Sequence, residues 1–306
     1  MDAIERDDGR IEAIFFRMPR ETPLTVSRET GRRRRLVRQV KQGEREYQQS
    51  IVAIANQKGG VGKTTTAVNL AGELARYGRR VLLIDCDPQG NATTSLGIAK
   101  RSLALTTYDV IMGLAGPGDA IRPTGRAGYD IIPASEHLAG AMVELTAVDR
   151  REWRLSDALG QLDQRYDRVL IDCPPSLGLL TLNALCAAGR VLIPLQCEYL
   201  ALEGLAQLKG TIDRVQQHLN PRLDILGVVM TMYDGRTNLA QQVVEEVRRY
   251  FPQRIFNTLI PRSVRVSEAP SYGQLLAEYD PQSRAALAYH LLTEEVLRRL
   301  GEKVGV

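Results

Sequence analysis

Six short runs of nearly unbroken apolar residues recur along the chain. They are Ile51-Val52-Ala53-Ile54-Ala55, Val81-Leu82-Leu83-Ile84, Tyr129-Asp130-Ile131-Ile132-Pro133, Arg168-Val169-Leu170-Ile171, Val191-Leu192-Ile193-Pro194-Leu195 and Ile225-Leu226-Gly227-Val228-Val229-Met230. They do not alternate apolar with polar positions, so each reads as a strand covered on both faces, the setting of a parallel sheet. Helical patterns lie between them, among them stretches at 67–75, 138–145 and 153–162. The spacing of Leu287, Leu291, Val296, Leu297 and Leu300 predicts one amphipathic helix docked on the sheet. Strands and helices in this alternation predict an α/β fold: a doubly wound, mostly parallel sheet flanked by helices, forming one domain over residues 51–306. Residues 1–50 lack such periodicity and contain Arg32-Arg33-Arg34-Arg35. They read as a basic, disordered extension, with a nucleic-acid-touching arm as the sharper alternative.

Charge narrows the picture. The chain of 306 residues carries a net +4, but residues 1–50 hold 12 Lys and Arg against 9 Asp and Glu, and the remainder is nearly neutral. A nucleic-acid site in the body must therefore be a local patch. The longest apolar candidate for a membrane span, 179–195, is broken by Thr181, Asn183 and Arg190, and the acidic N-terminus does not resemble a secretory signal. Cys86, Cys173, Cys186 and Cys197 show no C-x-x-C spacing, which favours buried reduced thiols in a cytosolic protein.

Chemistry concentrates in Gln57-Lys58-Gly59-Gly60-Val61-Gly62-Lys63-Thr64-Thr65-Thr66, between the first strand and a helix. Strand, glycine loop and helix in that order form a phosphate-binding loop, whose amides turn toward an anion where no Cβ intervenes. Lys63 supplies charge for the outer phosphates, and the Thr64 hydroxyl suits Mg²⁺. Only six residues are lysine, and two of them, Lys58 and Lys63, stand in this loop. Two further motifs follow strands: Asp85-Cys86-Asp87-Pro88-Gln89-Gly90-Asn91 and Asp172-Cys173-Pro174-Pro175. Asp172 suits a water-mediated hold on Mg²⁺. Asp87 is placed to orient or deprotonate a water attacking the γ-phosphate, and joins Thr64 and Asp172 in the expected metal site. Asp85 divides between a loop-capping role and direct catalysis.

These three motifs, together with Glu198-Tyr199-x-Ala201-Leu202-Glu203-Gly204 and Ile260-Pro261-Arg262-x-Val264-Arg265-x-Ser267-Glu268-Ala269-Pro270, resemble the deviant Walker A P-loop NTPases, and within them the ParA/Soj partition ATPases. The resemblance implies an ATP/ADP- and Mg²⁺-dependent enzyme, weak without its partner. In it Lys58 reaches across a homodimer to the partner's nucleotide, while Gly59, Gly60, Val61, Gly62, Lys63, Thr64 and Thr65 hold phosphates in their own protomer. It implies Pro261 and Ser263 against the adenine, with Met232 as a further wall candidate. It also implies non-specific binding of double-stranded DNA through Arg236, Arg262 and Arg265, stimulation by a ParB-like centromere-binding protein, and a cytoplasmic, nucleoid-associated location.

Other readings share the loop. A MinD-like membrane-positioning ATPase needs a C-terminal amphipathic tail with bulky anchors, whereas residues 294–303 contain three glutamates and no Trp or Phe. A nitrogenase-iron-protein-like enzyme needs cysteines placed to bridge a cluster. A ligase or amidotransferase needs a substrate-specific acid/base set, which the sequence does not display.

Overall fold

The computed structural model describes residues 47–162, 166–199 and 201–304, so the expected N-terminal extension lies outside the described residues up to position 46. Eight strands form one sheet: β1 (Ile51–Ile54), β2 (Val81–Asp85), β3 (Arg122–Arg126), β4 (Tyr129–Ile132), β5 (Arg168–Asp172), β6 (Arg190–Gln196), β7 (Asp224–Tyr233) and β8 (Ile255–Pro261). Their order is β3-β4-β2-β5-β1-β6-β7-β8. Only β3 runs antiparallel to its neighbour. The remaining pairs are parallel. The six apolar runs became β1, β2, β4, β5, β6 and β7, and all lie in the interior of this order. The expected doubly wound, mostly parallel α/β architecture is the one observed.

Both edge strands lack an apolar run. Arg122-Pro123-Thr124-Gly125-Arg126 is polar and carries a proline, composition that protects an edge from further pairing. At the other edge, Glu295 accepts the N–H groups of Asn257 and Thr258 at 2.8 Å each. A side chain there satisfies two donors of the edge strand.

Helices connect the strands: α1 (Lys63–Arg76), α2 (Asn91–Ser95), α3 (Thr107–Met112), α4 (Pro117–Ala120), α5 (Leu138–Glu144), α6 (Arg154–Leu159), α7 (Leu179–Ala187), α8 (Ala201–His218), α9 (Asn238–Tyr250), α10 (Val264–Glu268), α11 (Leu276–Tyr279) and α12 (Arg284–Arg299). Helices α1 and α12 pack together on one face, over Val52, Ile54, Leu83, Leu170 and Leu192. On the other face α7 meets β1 and α8 meets β6.

The C-terminal helix forms and docks as expected, with a buried face that only partly overlaps the expected one. Leu287 and Leu291 are 56% and 44% exposed, while Ala285, Ala288, Tyr289, Leu292, Val296 and Leu297 are buried. Small alanines let the helix approach closely, and each of the four large buried side chains contributes about 1.5–3 kcal/mol. The expected pattern therefore holds for Val296 and Leu297 and fails for Leu287 and Leu291, which stay exposed.

Candidate functional site

Strand register brings the three motifs together. Ile54 of β1 pairs with Asp172 of β5, and Asp172 pairs in turn with Asp85 of β2. The carboxyl ends of three adjacent strands thus present the glycine loop, Asp172 and the Asp85–Asn91 loop side by side, where ligands of parallel α/β sheets sit. Gly60 and Gly62 have φ of +75° and +87°, values costly for any residue with a Cβ. Gly62 caps α1, so the loop amides run straight into the helix N-terminus. Lys58, Gly59 and Gly60 are exposed, Val61 and Lys63 are buried, and Gly62, Thr64 and Thr65 are half-buried.

The electrostatics suit an anion with a divalent cation. Lys63 donates to the Lys58 carbonyl at 2.9 Å, its ammonium resting on the loop itself. Burial pulls that ammonium below its ordinary range, and the carboxylates of Asp172 and Asp87 oppose the effect. Asp172 is fully buried, and neither carboxylate oxygen meets a donor at hydrogen-bonding geometry. Burial pushes its carboxyl well up; Asp85 and Asp87 add to this, while the Thr64 hydroxyl and Lys63 pull the other way. An orphaned buried carboxylate beside a threonine hydroxyl fits a hydrated Mg²⁺. Asp87 is buried and accepts from the Gln89 N–H at 2.9 Å. Among the described residues no cluster of three His, Cys, Asp or Glu side chains is placed to hold a metal alone. The four cysteines carry no disulfide.

Several residues that brace the loop escaped sequence reasoning. Asn56 donates to the Pro194 carbonyl at 2.7 Å and accepts from the Lys58 N–H at 3.0 Å, tying the loop to β6. Thr231 of β7 donates to the Val61 carbonyl at 2.8 Å. Glu198, beyond β6, forms an ion pair with the Lys58 ammonium. Isolated Asn, Thr and Glu have no signature spacing, so only the fold discloses these roles; Glu198 alone lay inside a motif.

The residues expected against an adenine gather at two neighbouring strand ends. Tyr233 of β7 pairs with Pro261 of β8, and the Arg262 N–H donates to the Tyr233 carbonyl at 3.0 Å. Met232 sits there, half-buried, at φ +51°, a left-handed conformation costing a non-glycine residue about 1–2 kcal/mol. Strain of this kind clusters at ligand sites. The Ser263 hydroxyl caps α10 by accepting from the Arg265 N–H at 3.3 Å. The three arginines follow the same strand ends, but two are engaged. Arg236 grips Asp234 through two contacts of 2.8 and 2.6 Å, and with its N–H contact this holds the Asp234 carboxyl at about 2. Arg265 pairs with Glu268 at 3.0 Å and Asp280 at 3.3 Å.

A family model described as an AAA domain matches residues 49–225. The chain is 55% identical over 246 residues to the sporulation initiation inhibitor protein Soj of Bacillus subtilis, covering 80% of this chain and 97% of that protein. It is 53% identical to the chromosome partitioning protein ParA of Myxococcus xanthus, covering 81% and 88%. Among solved structures it is similar to one described as cobyrinic acid a,c-diamide synthase from Mycobacterium smegmatis with bound ADP and magnesium. That likeness has 40% identity and a TM-score of 0.73, covering 84% of this chain and 98% of that one.

Proposed function

The chain belongs to the ParA/Soj family of partition ATPases, and from that premise we propose that it is an ATP-dependent switch for DNA partition. The observation carrying the reading is the loop with two lysines in different surroundings. Lys63 is buried toward Asp172 and Asp87, whereas Lys58 stands 45% exposed on the rim. A buried lysine serves the nucleotide of its own protomer. An exposed one is available to a nucleotide held by a second copy.

In this reading ATP lies with its phosphates on the amides of residues 59–65 and its adenine near Met232, Pro261 and Ser263. Thr64 and Asp172, with Asp87 beside them, would hold Mg²⁺, which when bound would neutralise charge on the phosphates. Asp87 orients the attacking water and accepts its proton. Lys63 stabilises the transferred phosphoryl group, and Lys58 of a second copy completes the charge arrangement, so turnover is slow until a dimer forms. The dimer pairs the Arg236, Arg262 and Arg265 surfaces across a two-fold axis, creating the local phosphate-binding stripe that a nearly neutral monomer lacks. A ParB-like centromere-binding protein stimulates hydrolysis, and the ADP form releases DNA.

The likeness to a diamide synthase supports the nucleotide site but not that chemistry, since identity to the partition proteins is higher, at 55% and 53% against 40%. No helix among the described residues is long and apolar enough to cross a membrane. The test is mass by sedimentation, with Mg-ATP, Mg-ADP and no nucleotide, alongside phosphate release. The switch requires a dimer with ATP alone and measurable turnover. A constant mass in all three conditions would sink it.

A further inference from the structure

One carboxylate closes the loop between β2 and α2. Asp85, fully buried, accepts from the Asp87 N–H at 3.2 Å through Oδ1. Through Oδ2 it accepts from the Thr93 N–H at 2.8 Å and the Thr93 hydroxyl at 2.7 Å. The residue that opens the loop therefore grips both the residue before Pro88 and the one inside α2. Thr93 is also fully buried, and its hydroxyl oxygen accepts from the Ala134 N–H at 3.0 Å. Ala134 follows β4, the strand beside β2. One hydroxyl thus joins two strand ends, using its donor and its acceptor at once. Asp172 makes the contrast: its oxygens meet no donor at hydrogen-bonding geometry and face the Thr64 hydroxyl and Lys63, whereas those of Asp85 are committed to the loop.

We propose that Asp85 and Thr93 form a positioning pair that fixes the loop 86–92, and with it the Asp87 carboxylate, for attack on the phosphate. This rests on the ATPase reading above. The Asp87 side chain is turned by its own loop, since it accepts from the Gln89 N–H, so its aim follows the backbone that Asp85 and Thr93 hold. Valine at position 93 keeps the shape but removes the donor to Asp85 and leaves the buried Ala134 N–H without its acceptor. The phosphate-binding residues 57–65 are untouched by that change. Nucleotide affinity therefore survives while catalysis suffers, and misplacing a reacting group by about 1 Å costs about 100-fold.

The test compares Thr93→Val, Thr93→Ser, Asp85→Asn and the Thr93→Val/Asp85→Asn double variant in single-turnover hydrolysis. ATP affinity and the Mg²⁺ concentration for half-maximal rate are measured alongside. Thr93→Val and Asp85→Asn should each lose about 10- to 100-fold in rate at saturating Mg-ATP, with affinity and Mg²⁺ requirement unchanged. Thr93→Ser should restore the rate, and the double variant should be no slower than the slower single. Wild-type turnover in Thr93→Val overturns the pair. So does a raised Mg²⁺ requirement confined to Asp85→Asn, which makes Asp85 part of the metal shell. A wild-type protein inert towards ATP overturns the function itself, which separates the two failures. Should the variants not fold, amide exchange in the wild type decides: Thr93 and Asp87 N–H groups exchanging at exposed-loop rates contradict the clamp.

Discussion

Glu198→Gln should strengthen the ATP-bound dimer. Lys58 and Glu198 form an ion pair within one protomer, with side chains 45% and 30% exposed. A trans-acting Lys58 must leave Glu198 before it can reach a second nucleotide. A pair this exposed is screened by solvent and is worth about 1 kcal/mol at most. A symmetric dimer breaks two such pairs, so the carboxylates cost assembly about 2 kcal/mol, or about 30-fold in the dimer dissociation constant. The measurement is sedimentation equilibrium with Mg-ATP in an Asp87→Ala background, where slow hydrolysis keeps the nucleotide intact. Up to that gain is expected for Glu198→Gln, shrinking as salt rises. Lys58→Ala should retain ATP yet remain monomeric. An unchanged or weaker dimer in Glu198→Gln would mean that Lys58 keeps its partner on assembly and does not act in trans.

Four further outcomes follow from the proposed switch. Lys63→Ala should weaken ATP binding by about 10- to 150-fold, the loss of a charge-assisted contact, and titration with a fluorescent ATP analogue checks it. For Asp172 the carboxyl is raised, so the folded, metal-free protein keeps a proton that the unfolded chain gives up; stability from this group therefore falls as pH rises above about 3.9. Denaturation curves should show Asp172→Asn gaining on the wild type with increasing pH, and parallel curves speak against a buried titrating acid. Asp234→Asn frees Arg236 from its intramolecular partner, and the dimer's DNA-binding salt slope should steepen by about 0.9 per protomer. Arg236→Glu should abolish DNA binding while leaving the dimer intact, and retained salt-sensitive binding removes Arg236 from that surface.

Much of this was legible because buried parallel strands and phosphate loops leave strong local marks. The six interior strands announce themselves by apolar residues on both faces, and the glycine loop by positions where a Cβ is costly. The edge strands escaped for a physical reason: β3 is polar because it must discourage pairing, and β8 is finished by Glu295 from a distant helix. The face of α12 was only partly legible, because buried alanines and Tyr289 share it with Leu292, Val296 and Leu297 while Leu287 and Leu291 stay exposed. Asn56, Thr93 and Thr231 each make a hydrogen bond across a long sequence separation, and no spacing encodes those. The arginine candidates were named from motif position, but their intramolecular carboxylate partners became visible only in three dimensions.

Under the proposed switch, ATP controls attachment to DNA. Binding to a non-specific duplex, measured with Mg-ATP, Mg-ADP and no nucleotide across a salt series, tests it most directly. Tight binding with Mg-ATP alone, falling steeply with salt, is the predicted result. Equal affinity in all three states would contradict the account.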